Sequence, residues 1–161
     1  MKQAVAIVES LTNVQAVSLL KRLNRDLYQA VPDHDVKDHL VTGVDEVQTL
    51  QNLDLETKKK RLDPEASVQA TKQLLMAFAR NDDLAPVLVQ AWDQIKTDDS
   101  LFIETIVVVG LLVNLTLFMA TSDMEFKIGT LSIKKGRADS GILKEILSPV
   151  AELIKRLAPT S

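Results

Sequence analysis

The chain has 161 residues, no cysteine and a formal net charge of −3 at pH 7. This length suits one domain that buries a core without cross-links. The lack of cysteine excludes disulfides, thiol catalysis and Cys-ligated zinc or iron–sulfur sites, and it fits a reducing compartment. The slightly acidic balance argues against general nucleic-acid binding and leaves room only for a local basic patch.

The amino-terminal residues do not resemble an export signal. They contain one lysine and then a short apolar run that Glu9 interrupts. A secretory signal needs a longer apolar region and a small-residue cleavage pattern. We therefore expect a cytoplasmic location, with membrane association as the alternative.

Helical periodicity dominates the first half of the chain. Residues 2–30 contain no Gly or Pro and repeat apolar side chains every three or four positions, which predicts an amphipathic helix, continuous or broken. Pro32 ends this helix, and Asp33 or Asp35 is suited to cap a second one that fades near Leu50–Leu55. The apolar positions of the second helix are Val36, Leu40, Val44 and Val47.

Two more helices are predicted before residue 98. Asp63, Pro64 and Glu65 provide an N-cap, a proline at the first helical position and an acid in the first turn, so a third helix should begin at Pro64. Residues 81–83 break that helix, and a fourth one carries Trp92. As an aromatic residue with a polar handle, Trp92 is suited to a core edge or an interface.

The segment Leu101–Ala120 carries no charge from Thr105 onward. Its length predicts a central apolar helix over about 101–121, although Ile106–Val109 taken alone would also fit a buried strand. Such a segment must be hidden from water by the rest of the chain, by a second subunit or by a bilayer.

Polar residues make bilayer insertion of this segment marginal. Asn114 lies near its middle and Glu104 near its start, and both offset part of the apolar gain. The Asn114 amide should be hydrogen-bonded, because an unpaired buried amide costs about 1–3 kcal/mol. We favour burial by neighbouring helices and keep the oligomer interface and the bilayer as alternatives.

Residues 124–135 alternate between apolar and polar side chains on both sides of Gly129-Thr130. This pattern predicts a β-hairpin with a two-residue type II′ turn. The predicted pairs are Ile128 with Leu131, Phe126 with Ile133, Lys127 with Ser132, and Glu125 with Lys134. Phe126 and Ile133 should be buried, because an isolated hairpin needs cover for its apolar face.

The carboxyl-terminal residues predict one more amphipathic helix, starting at Asp139 or Ser140. Ser148-Pro149 should either kink it or restart it. The predicted fold is mainly α: a helical bundle around a central apolar helix, with one hairpin over about 124–135 and a carboxyl-terminal amphipathic helix.

We treat residues 1–161 as a single domain. A helical region over 1–98 and a helix–hairpin–helix unit over 99–161 form a possible subdivision.

Only a few residues suggest chemistry. The two histidines lie in a cluster of weak metal-ligand candidates, which are His34, Asp35, Asp38 and His39. Helix caps and solvated charges are the favoured explanation of the same residues. We therefore expect neither a metal site nor a cofactor. The basic run Lys58–Arg61 lacks interleaved aromatic residues and is flanked by acids, which is typical of solvated charge and makes nucleic acid an unlikely partner.

The sequence leaves enzymatic activity open but favours a non-catalytic protein, because it contains none of the common hydrolase or nucleotide-binding motifs. We expect a protein–protein interaction or regulatory module that self-associates, with the hairpin edges and the last helix as its surfaces. The alternative is a membrane-active or membrane-anchored protein that uses residues 101–120 as an inserting helix. The residues selected for interaction or burial are Asn114, Phe126, Ile128, Leu131, Ile133 and Trp92.

Overall fold

The computed structural model describes residues 2–96, 107–138 and 140–157. In these residues the protein is mainly helical, with one two-stranded antiparallel hairpin and a carboxyl-terminal helix, as predicted. The elements are α1 (Lys2–Ser10), α2 (Asn13–Ala30), α3 (Asp33–Asp38), α4 (Asp45–Gln51), α5 (Leu55–Lys58), α6 (Pro64–Ala79), α7 (Ala85–Ile95), α8 (Val109–Met119), β1 (Met124–Ile128), β2 (Leu131–Lys135) and α9 (Ser140–Leu157).

The first predicted helix is broken between α1 and α2. Thr12 is the N-cap of α2, and its hydroxyl accepts a hydrogen bond from the Gln15 amide nitrogen at 3.2 Å. In return, the Gln15 side chain accepts one from the Thr12 amide nitrogen at 2.9 Å. This capping box fixes the start of α2 and separates it from α1.

The prediction of a single second helix, capped by Asp33 or Asp35 and fading near Leu50–Leu55, is wrong. The region contains the short helices α3, α4 and α5, separated by turns. Gly43 lies in the first of these turns with a φ of +81°, a conformation that favours glycine. The residue before α3 is Pro32, whereas Asp33 and Asp35 lie in its first turn. Val36 is buried on α3 and Val47 is buried on α4. Their helical spacing in the sequence therefore did not reveal the turn between the two helices.

Helix α6 begins where its capping residues predict, and α7 follows the predicted break at residues 81–83. The Asp63 carboxylate accepts a hydrogen bond from the Ala66 amide nitrogen at 2.9 Å, and Pro64 is the first helical residue. After α6, the Asn81 side chain accepts bonds from the amide nitrogens of Asp83 and Leu84 at 2.9 and 3.2 Å. These local bonds organise the turn into α7.

Helix α8 begins at Val109, later than the sequence predicts. Val108 is extended and forms an isolated antiparallel bridge with Arg61, so the chain entering α8 takes main-chain bonds from another segment. The β-branched Val107 and Val108 fit this extended geometry. The rest of the predicted helix start, residues 101–106, lies outside the described residues.

Helix α8 occupies the centre of the fold. It contacts α2, α4, α5, α6 and α9, and Phe118 is fully buried. The Phe118 ring meets Tyr28 and Phe126 edge-on, with centroid distances of 5.8 and 5.5 Å. The chain therefore covers this helix with its own elements. Among the described residues, no helix has the length and apolar character needed to cross a membrane.

The hairpin has the predicted register. Phe126 pairs with Ile133, Ile128 with Leu131, and the turn glycine has a φ of +60°. Phe126 and Ile133 are 8% and 6% exposed, and β1 contacts α2. The same alternation places Lys135 on this inward face, opposite Met124.

Helix α9 is continuous through Pro149 and packs against α4, α6 and α8. Helices from both sides of residue 98 therefore contact one another. Asp139, one of the two predicted starts of this helix, lies outside the described residues.

Candidate functional site

An open trough lies between α6 and α9. It contains two adjoining cavities of about 570 and 560 Å³ that share lining residues on both helices, including Ala70, Gln73 and Pro149. One cavity lies along the amino-terminal half of α6, and the other extends to Arg80 at the carboxyl-terminal end of α6. We call this continuous depression the α6–α9 trough.

The floor of the trough is apolar because both helices turn small or aliphatic residues toward it. On α6, Ala66, Ala70 and Ala77 repeat at helical spacing, and their small side chains leave space above Leu74. On α9, the half-buried stripe contains Ile146 and Leu153 with the exposed Pro149 between them. Two apolar stripes thus face a common open channel.

The rims of the trough carry polar and charged side chains. Glu145 and Glu152 are exposed on the α9 wall, and the exposed amide Gln73 lies on the α6 wall. Arg80 is exposed at one end. Within the described part of the chain, none of these three charged groups forms an ion pair. Among the described side chains, the α9 rim carries two carboxylates, and Arg80 places a positive charge at one end.

A buried lysine lies close to that end. A third cavity of about 290 Å³ shares Asn81, Met119 and Ile146 with the trough and is also lined by Lys135. The Lys135 side chain is only 2% exposed. Its Nζ donates a hydrogen bond to the Met119 carbonyl at 3.0 Å and another to the Thr121 carbonyl. Lys135 thus satisfies carbonyls at and just after the carboxyl-terminal end of α8.

Burial lowers the pKa of Lys135 to about 8, and the carboxylates of Asp83 and Asp123 partly oppose this shift. A neutral amine with such a pKa has the chemistry of a base or a nucleophile. Here its bonds to two carbonyls and its burial assign it a structural role. The hairpin alternation could have revealed this residue, since Lys135 occupies an inward position of the predicted β2.

The six residues that the sequence selected for interaction or burial all lie outside the trough. Phe126 and Ile133 are buried, whereas Asn114, Ile128, Leu131 and Trp92 are half-buried. The Asn114 main-chain carbonyl accepts a hydrogen bond from the Tyr28 hydroxyl at 2.5 Å. Burial, aided by Asp33, raises the pKa of Tyr28 well above its usual range.

The weak metal candidates remain at the surface on α3 and its end. His34 Nε2 and Asp35 Oδ1 are 3.2 Å apart, and their side chains are 77% and 48% exposed. The His39 ring instead lies 2.8 Å from the Asp35 main-chain carbonyl. Asp38 is exposed as well. Residues 2–96, 107–138 and 140–157 contain no group of three or more His, Cys, Asp or Glu side chains arranged to hold a metal ion.

The basic run Lys58–Arg61 leaves α5 and enters the bridge with Val108. Lys59 and Arg61 are exposed, and Leu55 on the same short helix is 63% exposed. These side chains line none of the cavities described above.

No family model matches this chain, and no curated protein or solved structure is significantly similar to it. Its function must therefore be inferred from its own residues. The feature with the clearest binding geometry is the α6–α9 trough.

Proposed function

We propose that this protein is a non-catalytic interaction module that holds a helical segment of a protein partner in the α6–α9 trough. The observation that carries the proposal is the open apolar channel between the two helices. From Ala66 to Arg80 the α6 wall is about 21 Å long, at 1.5 Å per residue. A partner helix of about four turns would match this length.

The distribution of polarity supports the same function. Protein interfaces combine an apolar centre with a polar rim, and helix-in-groove recognition uses apolar anchors three or four residues apart. The trough has this arrangement, with Leu74 and Val150 buried at its floor and Glu145 and Gln73 exposed at its edges. The occupant would therefore be amphipathic.

The trough's chemistry supports binding rather than catalysis. Its described lining contains no histidine, and the hydroxyl at its edge, Ser148, is exposed. A serine nucleophile needs an adjacent base. Lys135, the nearby amine with a lowered pKa, is held by main-chain carbonyls.

Self-association remains part of the proposal, with the hairpin as its surface. The apolar face of the hairpin is covered by the chain itself, so pairing between copies would use an exposed main-chain edge. The Gln90 side chain already donates a hydrogen bond to the Ile128 carbonyl at 3.2 Å, beside the hairpin turn. The membrane alternative would require α8 to leave the five helices that it contacts.

The trough is tested by filling it. In Ala70→Trp an indole would occupy the region that both large cavities share, whereas Ala6→Trp adds the same side chain to an exposed position of α1. The probes are fluorescein-labelled 14-residue amphipathic helical peptides with leucine anchors and varied charge. Fluorescence anisotropy measures their binding to the full chain.

We expect the wild type and Ala6→Trp to bind at least one peptide with equal affinity, and Ala70→Trp to bind it at least tenfold more weakly. Circular dichroism and urea unfolding check that each variant folds. If Ala70→Trp does not fold, Ser148→Trp blocks the trough from the opposite, exposed wall. Equal binding by the blocked and control proteins, or no binding by the wild type, would refute the proposed function.

A further inference from the structure

We infer that the occupant of the α6–α9 trough is a basic amphipathic helix of a different protein, with Lys or Arg residues beside its apolar face. This inference rests on the proposed function and identifies the chemistry of the partner. It follows from the charges along the trough and from their positions on the two walls.

The α9 wall favours positive charge on the occupant. Glu145 and Glu152 are seven residues apart, so they lie on one side of α9 with a rise of about 10 Å between them. Lys144 is exposed on α9 but does not line the trough. An occupant with two basic residues spaced by seven positions would therefore meet both carboxylates.

The α6 wall is uncharged over the same stretch. Gln69 and Gln73 line it as exposed amides. An amide both donates and accepts hydrogen bonds, so it can bind a basic or an acidic side chain. The choice between a basic and an acidic occupant is therefore made by the α9 wall. Exposed pairs of this kind contribute little each, so the selectivity arises from two pairs acting together and weakens with salt.

Arg80 gives the occupant a direction. It is exposed at the carboxyl-terminal end of α6 and lines the second cavity together with Glu145, whereas Glu152 lines only the first. The carboxyl-terminal end of a helix carries partial negative charge and favours a nearby cation. The partner helix would therefore place its carboxyl-terminal end at Arg80 and run in the same direction as α6.

A second copy of this chain that inserted its own α9 would fit the trough poorly. Glu145 and Glu152 from both copies would then share one trough. Like charges in such proximity oppose association. A partner with the opposite charge lacks this repulsion.

The experiment compares two labelled 14-residue peptides with identical leucine anchors, one carrying Lys and the other Glu at the two rim positions. The proteins are the wild type, the double reversal Glu145→Lys with Glu152→Lys, and the control reversal Glu9→Lys with Glu56→Lys. Glu9 and Glu56 are exposed and lie outside the trough. Fluorescence anisotropy at low and at physiological salt gives each affinity.

We expect the wild type and the control reversal to bind the Lys peptide about tenfold more tightly than the Glu peptide, which corresponds to about 1.4 kcal/mol. The trough reversal should bind the Glu peptide more tightly. If the trough reversal still bound the Lys peptide more tightly than the Glu peptide, the inference would be overturned. Tighter binding of the Glu peptide by the wild type, still lost in Ala70→Trp, would overturn it and leave the proposed function intact. No binding of either peptide would overturn both.

Light scattering with size-exclusion chromatography tests whether a second copy of this chain occupies the trough. A dimer that dissociates in Ala70→Trp but persists in Ala6→Trp would assign the trough to a second copy and overturn the inference. A mass that is the same in both variants supports it.

Discussion

The buried amine of Lys135 should make the stability of the protein rise between about pH 7 and pH 9.5. Its pKa is about 8 in the folded protein, compared with 10.5 for an unshifted lysine. Between these values the unfolded chain binds more protons than the folded one, so raising the pH favours folding. The contribution of Lys135 to the free energy of unfolding is fully present above the pKa of the unfolded chain. It is lost as the pH falls through the pKa of the folded protein.

The pKa difference corresponds to about 3 kcal/mol in total, at 1.36 kcal/mol per unit. Proton linkage predicts that the free energy of unfolding increases by about 2 kcal/mol between pH 7 and pH 9.5. Urea unfolding monitored by circular dichroism across this interval gives the free energy of unfolding at each pH.

The variant Lys135→Met provides the control, since it keeps the length of the side chain and removes the charge. Its absolute stability combines the lost bonds to two carbonyls with the removal of a buried charge, so the comparison uses only the slope with pH. We expect that slope to be smaller than in the wild type by the amount calculated above. The reasoning is refuted if both proteins show the same slope, or if the wild type loses stability over this interval.

Three further predictions concern the core and a helix cap. Tyr28→Phe should cost about 1 kcal/mol in urea unfolding, because it removes the hydroxyl bond to the Asn114 carbonyl. The raised pKa of Tyr28 makes the wild type lose stability as the pH rises above about 10, where only the unfolded chain releases this proton, and the variant should lose less. Phe118→Ala should cost about 3–5 kcal/mol, since the fully buried ring contacts two aromatic neighbours; a loss below 1 kcal/mol would contradict its central place. Asp63→Ala should cost about 1 kcal/mol through loss of the α6 cap, whereas an unchanged unfolding midpoint would show that the cap contributes nothing.

Short sequence patterns correctly predicted the elements whose ends are determined by residues close by in the sequence. Asp63 defines the start of α6 through a hydrogen bond within one turn, with Pro64 as the first helical residue. The alternation around Gly129 defines the hairpin register. These features need no knowledge of the rest of the fold. The start of α8 depends instead on the bridge between Val108 and Arg61, which lie far apart in sequence.

The candidate site could not be predicted in the same way. Ala70 and Ala77 look like ordinary helix formers, and the space above them exists only because α9 packs alongside at a particular distance. Likewise, Glu145 reads as a solvated charge until α6 supplies the opposite wall. The sequence predicts the last helix as an interaction surface, and the cavities identify the α9 residues that line open space.

Chemical-shift mapping tests the central claim most directly. The ¹⁵N-labelled full chain is titrated with the Lys peptide, and amide shifts are followed for every described element. The account predicts that the largest shifts fall on α6 between Ala66 and Arg80 and on α9 between Glu145 and Leu153, and that Ala70→Trp abolishes them. Shifts concentrated on the hairpin or α3, or no shifts at saturating peptide, would contradict it.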